Sequence, residues 1–97
     1  MKINFHSKLE LDENFYNYLN KKIRKLEKFI FDEGNADIFL KKEGPFYVAE
    51  IDIKTKNHTI FLREKENDIN KSIELLIDRT KRKLRQLHEK IIDKSKK

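Results

Sequence analysis

The feature that most constrains this chain is a change of hydrophobic period. In "DENFYNYLNKKIRKLEKFIF" the apolar residues Phe15, Leu19, Ile23, Leu26 and Ile30 recur every three to four positions. Between residues 35 and 66 the repeat falls to two, and from Asp68 onward it returns to three and four. A period near 3.6 is one stripe of a helix and a period of two is one face of a strand. Each stripe and each strand face has to be buried against something, so two one-sided helices and a block of one-sided strands have to cover each other.

The boundaries follow from local chemistry. Asp12 is placed to accept hydrogen bonds from the free amides of the first turn of helix 1, and Gly34 is the expected stop. In the period-two block, "ADIFLKK" sets Ala36, Ile38 and Leu40 against Asp37, Phe39 and Lys41. "YVAEIDIK" sets Tyr47, Ala49, Ile51 and Ile53 against Val48, Glu50, Asp52 and Lys54. "KEGPF" and "KTKNH" carry turn residues and separate these strands from each other and from "TIFLREK". The opening "KINFH" adds a strand with Ile3 and Phe5 inward. Helix 2 starts behind a second cap, Asp68, on the stripe Ile69, Ile73, Leu76, Ile77, Leu84, Leu87 and Ile91, with Thr80 as its polar member. Tyr16, Tyr18 and Phe29 flank the stripe of helix 1 as the edge of the core. The expected fold is α+β in the order β-α-β-β-β-α, with a four-stranded sheet and both helices packed on one face.

Charge is distributed unevenly over this plan. The net charge is +6, yet residues 1–78 hold 14 basic and 15 acidic side chains, so the whole excess sits in residues 79–97, nine basic against two acidic. A second cluster, "LNKKIRKLEK" (19–28), has five basic residues and one acidic. On the helical wheel Lys21, Arg24, Lys25 and Lys28 lie opposite the stripe of helix 1, with Lys22 at its flank. Lys71, Arg79, Arg82 and Arg85, interleaved with Glu74 and Asp78, lie opposite that of helix 2. One such cluster is accounted for by solvation and by the helix dipole, which favours two or three bases near a C-terminus. Two clusters on adjacent helices, both turned away from the sheet, are better suited to a polyanion such as an RNA backbone.

Other classes fit less well. The chain has no cysteine, hence no disulfide framework or cysteine zinc site, and no apolar run of the ~20 residues that a membrane span needs. The N-terminal stretch has no apolar core of signal-peptide length, and a cytoplasmic protein is expected. His6, His58 and His88 are far apart, "REKEND" lacks calcium-loop spacing, and no phosphate loop or nucleophile motif is present. No catalytic residue, cofactor, metal or small-molecule substrate is therefore expected. Phe39, Phe46 and Phe61 fall on the strand face opposite the core set, where a base-stacking platform or a partner contact is conceivable.

The opening "MKINFH", the basic "LNKKIRKLEKF" and the long "ENDINKSIELLIDRTKRKLRQLHEK" together resemble the ribosome hibernation-promoting factor and ribosome-associated inhibitor family, also called sigma-factor modulation proteins, in its short form. The spacing that carries the resemblance is Asp68, then Ser72 with Ile73, Asp78 with Arg79, and Arg82 with Leu84. The resemblance implies a fold similar to double-stranded-RNA-binding domains. It implies a cytoplasmic protein that lodges in the small ribosomal subunit, where messenger and transfer RNA otherwise lie, and blocks translation in stress or stationary phase. Through it, Lys22, Lys25, Arg79, Arg82 and Lys90 are expected to touch ribosomal RNA phosphates; Lys28, Lys83 and Arg85 are added from the charge pattern alone. The chain departs from the family at Glu74, where Asp is frequent, at Thr80, where leucine is frequent, and at Gln86 and His88, where lysines are common nearby. Residues 1–92 are expected to form one ribosome-binding domain, monomeric in isolation and without the dimerisation domain of long family members, and 93–97 a short basic tail. The alternatives are a free regulatory RNA-binding module with no preference for ribosomes and a protein-interaction adaptor.

Overall fold

A computed structural model describes residues 2–29, 34–56 and 58–95, with side chains as far as Leu87 in the last helix. Strand β1 (Lys2–Ser7) leads into α1 (Glu13–Arg24) and a short 3-10 turn (Glu27–Phe29). Then come β2 (Gly34–Glu43), β3 (Phe46–Thr55), β4 (Thr59–Glu66) and α2 (Ile69–Ser95), in the order β-α-β-β-β-α. The sheet order is β1-β2-β3-β4. β1 runs parallel to β2, which a chain can achieve only through a crossover, and α1 is that crossover. The other two pairs are antiparallel hairpins.

Register explains why both helices share one side. Ile3, Ala36, Ile53 and Ile60 stand in one cross-strand row, and Phe5, Ile38, Ile51 and Leu62 in the next. These rows make one apolar face. Leu19, Ile23 and Leu26 from the first helical segment and Ile73, Leu76 and Leu84 from α2 close over it, and all six are buried. Helix α2 lies across β3 and β4. A third row, Ser7, Leu40, Ala49 and Glu64, ends in a carboxylate at the sheet's edge.

Both caps form as expected. The Asp12 carboxylate accepts from the Phe15 amide at 2.8 Å, and that of Asp68 from the Asn70 amide at 2.8 Å. The β2–β3 connection is a two-residue turn in which Gly44 has φ +58 and Pro45 follows. A positive φ at the first central position alone is the type II′ pattern, which suits the twist of a hairpin.

Two expectations need correction. Gly34 does not stop helix 1. The helix ends at Arg24, tightening into i→i+3 bonds from the Leu26 amide to Ile23 and from the Phe29 amide to Leu26, and Gly34 opens β2. The α-helical register thus ends before Leu26, yet Leu26 still reaches the core through the tighter turn; Ile30 lies outside the described residues. Val48, assigned to the exposed side of β3, is buried, while Tyr47 is only half-buried. Val48 lies between its cross-strand neighbours Lys41 and Lys65 on the helix-free face, where long aliphatic stems exclude water. Helix α2 also buries Ser72 besides the anticipated Thr80; their hydroxyls donate to the Ile69 and Leu76 carbonyls, so neither is orphaned. The backbone stays helical through Ser95, into the segment read as a tail.

Candidate nucleic-acid interface

The two helices leave a cleft of about 230 Å³ between them, floored by Leu26 and Ile77 and lined by Lys22, Lys25, Lys28 and Lys81, with Glu74 and Asp78 on the α2 wall. Four cations face two carboxylates, so the cleft is positive but not uniformly so. Three of those lysines come from the α1 cluster. Lys81 was not among the sequence candidates. It sits four residues after Ile77 and three before Leu84, at the flank of the stripe rather than opposite it, and this flank faces the first helix. Phe29 joins the two walls: its ring lies 5.3 Å from the Lys28 Nζ and 5.9 Å from the Lys81 Nζ.

Glu74 is the most connected group in the cleft. The Tyr18 hydroxyl donates to its Oε1, and the Lys22 Nζ stands 3.0 Å from the same oxygen. The Tyr18 hydrogen bond, followed by that from Lys22, holds the Glu74 carboxyl below the usual carboxylate range. The same hydrogen bond pushes the Tyr18 phenol up to about 12. Lys22 also lies 5.5 Å from the Tyr18 ring.

The bases of α2 do not share one direction. At ~100° per residue, Arg79 and Lys81 are about 200° apart on the wheel. Arg79 turns toward β4, where its guanidinium pairs with Glu64 and donates to the Arg63 carbonyl at 3.3 Å. That places Arg79 as the partner of the carboxylate at the end of the third core row. Arg82 pairs with Asp78 one turn back, at 3.0 Å. Lys83 and Arg85 are exposed and make no ion pair with the described residues, and Lys25 and Lys28 on the first helical segment are likewise exposed without one. The side chain of Lys90 lies outside the described residues. The structure thus gathers Lys22, Lys25 and Lys28 around the cleft, sets Arg82 and Arg85 on the outer side of α2, and directs Arg79 to the sheet edge.

The helix-free sheet face has a different chemistry. Phe39, Phe46 and Phe61 are exposed there, Phe61 to 57%. The charges around them are largely paired among themselves: Arg63 meets Glu43 at 2.9 Å and Glu50 at 3.6 Å, Lys41 meets both, and Lys65 meets Glu43. His6 stacks on Phe39 and pairs with Asp37 at 3.0 Å, a contact that lowers the Asp37 pKa. A face neutralised this way offers little to a phosphate backbone. Among the described residues, no group of three or more His, Cys, Asp or Glu could hold a metal ion, and no helix is long and apolar enough to cross a membrane.

The profile of the family described as sigma 54 modulation protein / S30EA ribosomal protein matches residues 1–92. Among solved structures, the chain is similar to the N-terminal domain of Protein Y from Thermus thermophilus, with a TM-score of 0.81 at 22% identity, over 90% of this chain and 99% of that one. It is similar also to a ribosomal subunit interface protein from Coxiella burnetii, with a TM-score of 0.80 at 16% identity, over 92% and 99%. At these identities the likeness is one of fold. No curated protein matches the chain.

Proposed function

Because the chain belongs to the sigma 54 modulation protein / S30EA ribosomal protein family, whose members associate with ribosomes, we propose that it is a hibernation factor that binds the small ribosomal subunit through ribosomal RNA phosphates, at the messenger and transfer-RNA channel, and holds cytosolic ribosomes inactive under stress. The observation that carries this reading is the cleft in which Lys22, Lys25 and Lys28, from α1 and the turn that follows it, converge with Lys81 from α2. Phosphates along an RNA strand are spaced by several ångströms, and cations on two rigid helices meet several of them at once without first having to be ordered. Lysines act there as point charges, and the exposed Arg82 and Arg85 add forks that grip phosphate oxygens in pairs. Such contacts fix position and carry little sequence information, so specificity falls to the shape of the ribosomal surface.

The test is co-sedimentation with purified ribosomes. A protein neutralising ~6–10 phosphates loses about 10³–10⁵ in affinity between 50 and 200 mM salt. The wild type is expected in the ribosomal pellet at the lower salt and largely free at the higher. Lys25→Glu combined with Arg85→Glu is expected to abolish pelleting at both, with an unchanged circular dichroism spectrum. These positions are preferable to Arg79, whose reversal also breaks the pair with Glu64 that fastens α2 to β4. Pelleting by the double variant at wild-type level would overturn the assignment of the interface, and equal affinity for ribosomes and an isolated RNA duplex would favour a free RNA-binding module.

A further inference from the structure

A cleft built for phosphates contains an anion of its own. Glu74 lines it from α2, 3.0 Å from the Lys22 Nζ, and accepts a hydrogen bond from the Tyr18 hydroxyl on α1. A carboxylate oxygen and a phosphate oxygen offer an ammonium group the same hydrogen-bonding chemistry. In the free protein, Lys22 is therefore already neutralised, and a phosphate that approaches it meets both an occupied cation and a repelling carboxylate. Lys25, by contrast, makes no ion pair with the described residues and is open to contact directly.

We propose that Glu74 is a specificity-determining residue of the RNA-binding cleft: an internal competitor that occupies Lys22 until a phosphate, held in register by neighbouring contacts, takes its place. This rests on the reading of the cleft as a phosphate site. A flexible strand or an isolated duplex that gains one lysine contact at the expense of the Glu74 pair gains little. A rigid RNA surface that meets Lys25, Lys28 and Arg85 together, none of them in an ion pair with the described residues, is carried into the cleft by those contacts, and the exchange at Lys22 comes last. Glu74 thus suppresses binding to stray polyanions more than binding to the shaped target. Tyr18 is a positioning residue, since its hydroxyl on α1 holds the Glu74 carboxylate at the place where Lys22 meets it.

The exchange has a thermodynamic signature. Each protein cation that neutralises a phosphate releases counterions and steepens the dependence of log K on log salt by about 0.7–0.9. When Lys22 leaves Glu74, the freed carboxylate gathers a cation from solution and offsets part of that release. The experiment measures binding of the full chain to purified ribosomes and to a short RNA duplex across a salt series, for wild type and Glu74→Gln. Glutamine keeps the length and a carbonyl for the Tyr18 hydroxyl but loses the charge. The variant is expected to bind the duplex roughly tenfold more tightly with a slope steeper by up to about 0.7–0.9, to gain less on ribosomes, and so to lose discrimination. Unchanged or weaker duplex binding, with an unchanged slope, would overturn the proposal. Should Glu74→Gln disturb the helix pair, Lys22→Gln and Lys25→Gln in the otherwise native chain give an independent reading. The former is expected to flatten the slope less than the latter, and equal flattening counts against the competitor. If the wild type binds neither probe in a salt-dependent way, the phosphate site itself is wrong and the competitor falls with it.

Discussion

Thr80 occupies a fully buried position on the apolar stripe of α2, and its hydroxyl donates to the Leu76 carbonyl at 2.7 Å. That carbonyl sits four residues back, where the helix offers it a backbone donor as well, so losing the hydroxyl strands no essential partner. Thr80→Val, which keeps the branched shape, is expected to change stability by less than about 1 kcal/mol, neutral or favourable. Thr80→Ala is expected to cost about 1–2 kcal/mol through lost packing; urea unfolding midpoints separate the two. The Tyr18–Glu74 contact has a pH signature at each end. A depressed carboxyl pKa contributes stability that is present above the ordinary unfolded value near ~4.3 and is lost as pH falls through the lower folded value. A raised phenol pKa contributes stability that is complete below the unfolded value near ~10 and is lost as pH rises through about 12. A phenolate absorbance titration is expected to show one tyrosine ionising at about 12, and Glu74→Gln to bring it down. At this scale the sequence was legible in part. A helical wheel separates buried from exposed, which placed Lys25, Lys28 and Arg85 correctly at the surface. It does not say which flank meets a neighbouring helix, and the places of Lys81 and Glu74 in the cleft depend on how α1 and α2 lie side by side.

At the scale of elements, period and punctuation carried most of the information. The strands and helices occur in the order that the apolar repeats predict, because one-sided burial leaves each segment few compatible conformations. A glycine after an apolar stripe suggests a helix cap, whereas Gly34 starts a strand and α1 closes by tightening its last turn. Val48 lies on the face that alternation gives it, yet is buried between Lys41 and Lys65, because alternation does not count how far lysine stems reach across a sheet. The Gly44 turn gives a clean test of backbone geometry. A Cβ built there meets nothing within 4 Å, so the cost of Gly44→Ala is conformational alone. It is expected to be about 1–2 kcal/mol, with the fold retained. Asp68→Ala, which leaves the first amides of α2 unsatisfied, is expected to cost a similar ~1 kcal/mol. Both are read from thermal or urea midpoints.

For the whole molecule, one sheet face holds the core and the other holds paired charges around three phenylalanines, so stability is concentrated in a single thin layer between sheet and helices. Ile51 stands at its centre, in the row Phe5, Ile38, Ile51 and Leu62, and is fully buried. Ile51→Ala is expected to cost about 2–5 kcal/mol, a large fraction of the ~5–15 kcal/mol typical of a domain this size. A fall in urea midpoint of less than half a molar would contradict a core of this kind. The topology has a further consequence, one of timing. Strands β2, β3 and β4 are joined by tight turns and pair with their neighbours in sequence, contacts that close quickly. Among the described residues, strand β1 pairs with β2 alone, in parallel, and the whole crossover through α1 has to be in place before Lys2 meets Asn35. As the chain is synthesised, β1 is therefore made well before its pairing partner, and Ile3 and Phe5 wait for β2 before they join the core. When an unfolded chain refolds, with all strands present at once, the β1–β2 pairing closes a far longer loop than either hairpin and is expected to form after them.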